Sequence, residues 1–133
     1  MFARLFLAAT GILYLYLALW CSVSPQTTSA LVGFQLQGGS GQSEFLTVYG
    51  GLEFGMALVF LWPLVHSRVT RDILWACFVI HASLVVFRTI GFVLYSDIKT
   101  ITWKLAAGEW ALTIAAAALL FLARPRRDSQ TVA

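Results

Sequence analysis

The sequence predicts an all-α protein: a four-helix transmembrane bundle of up-down topology with both termini cytoplasmic. Three observations lead there. Apolar residues make up 59% of the chain and charged residues 11%, against about a quarter charged in an ordinary soluble domain. The apolar residues gather into four runs, each close to the ~20 residues that a helix needs to cross a bilayer. The basic residues between the runs are sorted by side, with Arg4, Arg68, Arg71, Arg124, Arg126 and Arg127 on one and Lys99 and Lys104 on the other. Arg- and Lys-rich connections stay in the cytoplasm, which sets the orientation.

The first span covers about residues 2–23. Its length suits a crossing, and Trp20 is placed at the outer interface, where aromatic side chains collect. Nothing like a signal-peptidase site follows it. The connection from Ser24 to Ser43 is the one long one and contains no Lys or Arg. Pro25, Gly33 and the Gly38-Gly39-Ser40-Gly41 cluster read as turn and linker. The apolar Ala30–Phe34 stretch reads as a short helix or lid at the interface. Ser43 reads as the N-cap of the second span, about 45–65, with Glu44 complementing the helix dipole. Within that span Gly50, Gly51 and Gly55 form a small patch for close helix approach, a role also expected of Gly91 on the third span.

The third span is expected at about 73–95 and the fourth at about 101–122. The turn Ser96–Thr100 between them is short enough to make them antiparallel neighbours. Together the spans form one membrane domain, residues 1–123. Residues 124–133 form a basic tail that is expected to be disordered. Cys21 and Cys77 fall roughly 25 Å apart along the bilayer normal, beyond disulfide reach, and read as small apolar fillers. No metal-type Cys/His spacing, cofactor motif or catalytic motif occurs, and no basic stripe suits nucleic acid.

Three ionisable residues interrupt the apolar runs: Glu53, Arg88 and Glu109. Counted along their helices, each lies roughly 10–12 Å below the same face of the membrane. A charge at such depth costs about 2.5–3.5 kcal/mol on insertion scales. Three at matched depth are therefore expected to meet, with Arg88 between the two carboxylates and its planar fork serving both. One negative charge is then left over. A Glu that keeps its proton, a bound cation or entering water would neutralise it, and the sequence does not choose among them. Tyr14 falls in the same layer. His81 shares a helix face with Arg88, two turns deeper. It reads either as an extension of the polar track or as a histidine bonded to a neighbouring carbonyl or hydroxyl.

The order of these features resembles the bacterial membrane family catalogued as domain of unknown function number 4345. The matching parts are Tyr49-Gly50-Gly51 opening the second helix, Glu53 within it, Arg88 with Gly91 on the third, and Glu109 on the fourth. The likeness runs from the first span to Leu122. Members of that family often carry an Arg shortly before the Tyr, where this chain has Leu46-Thr47-Val48. The family is in turn similar to the broader DoxX-like four-helix membrane proteins, some linked to quinone or thiol redox chemistry. The resemblance implies a multi-pass protein of the bacterial cytoplasmic (inner) membrane and implies no particular activity.

Three functions fit these residues. In the first, Glu53, Arg88 and Glu109 line a site for a small amphiphilic or lipid-like ligand, joined by His81, Tyr14, Tyr49 and Trp110 and roofed by the long connection. In the second, the charges only lock helix packing, and the chain is a non-enzymatic subunit that binds a membrane partner or a second copy of itself. In the third, it is a DoxX-like redox-linked component with one Glu as proton carrier. The first expects a pocket of several hundred cubic ångströms open to the outer leaflet. The second expects a sealed bundle with an apolar groove outside.

Overall fold

The computed structural model describes residues 1–122. Residues 123–133, with Arg124, Arg126, Arg127 and the tail expected to be disordered, lie outside the described residues. The chain is all-helical there, with four helices long and apolar enough to cross a membrane: Phe2–Val23, Gly38–Leu64, Ser67–Leu94 and Thr100–Leu122. We label them α1, α3, α4 and α5. α2 is the short helix Pro25–Leu31 in the first connection.

α1 stops where Pro25 can neither donate a backbone hydrogen bond nor let the residue before it stay helical. Pro25 then opens α2, a position that suits its fixed φ. The hydroxyls of Thr28 and Ser29 donate to the carbonyls of Ser24 and Gln26, which lets both side chains be buried. Gly33 turns the chain out of α2 at φ +92°, a conformation that favours glycine. The helical part of the connection is thus Pro25–Leu31, earlier than the expected Ala30–Phe34.

α3 begins at Gly38 and not at Ser43, and no side chain caps it. The glycine cluster that reads as linker is its first turn. Each Gly costs about 1 kcal/mol relative to Ala in a helix. That cost is offset by packing: a Cβ added at Gly41 would stand 3.6 Å from the Leu36 backbone, and Phe45, one turn on, is buried against Phe34. Residues Leu46–Leu52 then form a π-helix before α-helical geometry resumes at Glu53. A π-segment carries an extra residue per turn and turns the following side chains to a new azimuth; such segments concentrate at functional sites. Pro63 closes α3 in a 3₁₀ turn, Trp62–Leu64. A second 3₁₀ turn, Ser67–Val69, leads into α-helix at Thr70, three residues before the expected start.

α1 packs chiefly along α3, and α4 along α5. The core between them holds Leu7, Tyr14, Ala57, Phe60, Leu74, Cys77, Ala116 and Leu120. Two hydrogen bonds show which helix ends lie together. Arg4 donates to the Leu64 carbonyl at 3.1 Å, joining the start of α1 to the end of α3. Lys99, in the α4–α5 turn, donates to the Ala30 carbonyl at 2.9 Å, joining that turn to α2. In the same turn Asp97 adopts φ +58°, a left-handed conformation that Asp tolerates better than most residues. Large apolar side chains such as Phe87 and Val93 stay exposed along the outer helix faces, a surface suited to lipid and not to water.

The close approaches differ from those expected. A side chain at Gly51, Gly55 or Gly91 would meet no atom within 4 Å, so these positions bring no neighbour near. Gly50 does: its Cβ would stand 2.6 Å from Ser22 Oγ on α1. So does Gly11, where a Cβ would stand 2.7 Å from Leu61 Cγ and 3.1 Å from the Ala57 carbonyl. The glycine that lets α1 meet α3 along its middle is thus on α1. It sits in an apolar run where a lone Gly gives no pattern to read.

Candidate functional site

Arg88 on α4 and Glu109 on α5 form a two-bond fork. Nε donates to Oε2 at 3.0 Å and Nη2 to Oε1. This is the strongest geometry for a guanidinium and a carboxylate. The Glu109 side chain is 14% exposed and that of Arg88 30%. Nη1 of Arg88 makes no hydrogen bond among the described residues.

Arg88 does not lie between two carboxylates, as the sequence led us to expect. Glu109 alone occupies the bonding edge of its fork. Glu53 stands apart because its helix packs mainly against α1 and only lightly against α4. One carboxylate oxygen of Glu53, Oε2, is buried and has no hydrogen-bond partner among the described residues. The hydroxyls of Ser22 and Thr28 on the neighbouring elements donate to their own backbone, at Ala18 O and Ser24 O, and do not serve it.

Above Glu53, toward the α2 end, Tyr49 stacks on Phe45 at 4.6 Å, and Phe34 meets both rings edge-on. Phe34 comes from the long connection, so that connection does cover the second span at this point.

His81 is fully buried. Its Nδ1 is 2.7 Å from the Cys77 carbonyl, which can only accept, so Nδ1 carries a proton. Nε2 of the neutral ring then accepts from the Tyr14 hydroxyl, 3.1 Å away. Of the two roles that the sequence allowed, His81 takes the bonded one: both of its nitrogens are satisfied within the bundle. Phe60 packs against both the Tyr14 and His81 rings. Phe60 is the part of this cluster that sequence reasoning missed, while Cys77, on the same helix stripe as His81, reads from the sequence as an apolar filler. The four-residue spacing of Cys77 and His81 was the available signal for Cys77. Trp110 is 49% exposed and makes no ring contact with Tyr14, Tyr49 or His81. An aromatic next to Glu109 in sequence points to a different side of the helix.

The two main surface cavities do not open onto these charges. One, about 320 Å³, lies between α1 and α3 and is lined by Ala18, Leu19, Ser22, Leu46, Gly50, Gly51 and Phe54. The other, about 130 Å³, lies between α4 and α5 at the opposite end of the bundle. The size expected of a pocket in the α2 half is met by the first, but its lining is apolar apart from Ser22. Among the described residues no three His, Cys, Asp or Glu side chains come together as a metal cluster would require.

Comparisons with family models, with curated proteins and with solved structures found no match to this chain.

Proposed function

We propose that this chain is a multi-pass protein of the bacterial cytoplasmic membrane that binds a small amphiphilic or lipid-like molecule in its polar layer. In this reading the bundle runs up-down with both termini in the cytoplasm, since Arg4, Arg68 and Arg71 share one end. The layer then lies in the outer half. Membership of the family of unknown function number 4345 belongs to the same proposal.

The single observation that carries it is the unpartnered buried oxygen of Glu53. A pure packing lock pairs its carboxylates, as Arg88 pairs Glu109. A buried acceptor left without a donor costs about 1–3 kcal/mol. A ligand that brings a hydroxyl or ammonium donor removes that cost on binding. Nη1 of Arg88, which makes no hydrogen bond among the described residues, offers a donor to a carbonyl or phosphate oxygen.

The test is mass spectrometry of amphiphiles that co-purify with the protein in mild detergent. Wild type is expected to retain a defined species and Glu53→Gln to lose it about tenfold while staying folded. Equal retention by the two proteins would remove Glu53 from any binding site. A second reading, a non-enzymatic subunit that docks a membrane partner, is favoured by the apolar groove between α1 and α3, which lies outside the charged layer. It expects Phe54→Ala to disturb complex formation and Glu53→Gln to leave it intact.

A further inference from the structure

The smaller cavity sits where α4 begins and α5 ends, far from the Glu53 layer. It is lined by Trp75, Phe78, Ala117, Leu120 and Phe121, with Arg71 as its one charged residue. The shape follows from the residues. Trp75 and Phe78 meet edge-on at 5.7 Å and form one bulky wall. Facing them, the small side chain of Ala117 leaves a slot of about 130 Å³. Arg71 is exposed and makes no hydrogen bond or ion pair among the described residues. Arg68 lies three residues earlier and is likewise exposed. Asp72, the acidic neighbour in the chain, forms no ion pair with either. The site therefore joins a cation without a partner among the described residues to an apolar slot, at the end of two helices long enough to span a bilayer.

We propose that this groove holds an anionic phospholipid, with one acyl chain in the slot over Ala117 and the phosphate on Arg71. Charge complementarity selects the head group: a cation at the level where a helix leaves the hydrocarbon attracts acidic lipids, and each such residue contributes about 1 kcal/mol. The apolar slot supplies what a free phosphate would not need. The stem of Arg71 extends along that apolar surface while its guanidinium stays in the interface. This binding is independent of any ligand in the Glu53 layer.

Trp75 reports on the groove directly. The full-length protein is reconstituted in vesicles of phosphatidylcholine that contain brominated phosphatidylglycerol or, separately, brominated phosphatidylcholine. Bromine quenches nearby indole fluorescence, and subtraction of a Trp75→Phe sample isolates the Trp75 signal from that of the other four tryptophans. Quenching of Trp75 is expected at a lower fraction of the brominated acidic lipid than of the neutral one. Arg71→Gln should cut that preference roughly fivefold and Arg71→Lys should keep it. Ala117→Phe should fill the slot and reduce quenching by both lipids. Equal quenching by the two lipids in wild type overturns the proposal, as does a preference that survives Arg71→Gln. Protection of Trp75 from both lipids together with dimers in sedimentation assigns the groove to a second copy of the chain and also overturns it.

Discussion

The Tyr14 hydroxyl and His81 Nε2 stand 3.1 Å apart in the bundle centre and join α1 to α4. His81 has its other nitrogen fixed as a donor to Cys77, so Nε2 has one available source of a proton, the phenol. Tyr14→Phe removes it and strands a buried acceptor. We expect a loss of about 1 kcal/mol, within the modest range for hydrogen bonds between membrane helices. His81→Phe in addition should cost little more than either change alone. A double-mutant cycle by thermal unfolding in detergent measures this, and additive losses would show that the two side chains do not depend on each other.

The Arg88–Glu109 fork predicts a larger effect. Glu109→Ala leaves the guanidinium without its counter-ion. The cost should be about 3 kcal/mol, the low end for breaking a buried pair, because Arg88 keeps 30% of its side chain exposed. Arg88→Lys keeps the charge but not the two parallel bonds, and should recover only part of the stability. Denaturation midpoints of the three proteins check the order wild type, Arg88→Lys, Glu109→Ala.

These charges also mark how far the sequence could be read. Four long apolar runs specify four helices because the bilayer demands one length and one chemistry. The ends were less legible. Gly38–Gly41 carries linker composition yet is helical, since its neighbours Leu36 and Phe45 pack there, and composition records no packing. In the site, matched depth was the reason to group Glu53, Arg88 and Glu109. Depth says nothing of azimuth. The π-segment Leu46–Leu52 falls just ahead of Glu53, and no single-residue preference announces such a segment. Pairing was therefore predicted for both carboxylates when only the one on the neighbouring helix α5 reaches the arginine.

The glycines give a test of that packing. Gly11→Ala would force a methyl against Leu61 and the Ala57 carbonyl. Overpacking of this kind costs about 1–3 kcal/mol. Gly55→Ala meets nothing within 4 Å and replaces a poor helix former with the best one, which should add about 0.5–1 kcal/mol. Unfolding by denaturing detergent should move in opposite directions for the two, and a loss at Gly55 would reveal a neighbour, such as a second copy, against that face.

Glu53 and Glu109 should answer the same substitution with opposite signs. Both are carboxylates on long apolar helices, and both are partly buried. Glu109 is bonded twice by Arg88, so Glu109→Leu strands a charge and destabilises. Glu53 Oε2 has no partner, so Glu53→Leu removes a polar group that folding had to dehydrate for nothing. In the ligand-free protein that change should stabilise by about 1–3 kcal/mol. Melting temperatures of delipidated protein in one detergent give the comparison, with circular dichroism to establish that helix content is unchanged. A loss at Glu53 as large as that at Glu109 would mean that the protein itself supplies Glu53 with a donor, and the oxygen would not be waiting for a ligand. A gain at Glu53 that disappears when the native membrane extract is added back would tie the unpaired oxygen to something the membrane provides.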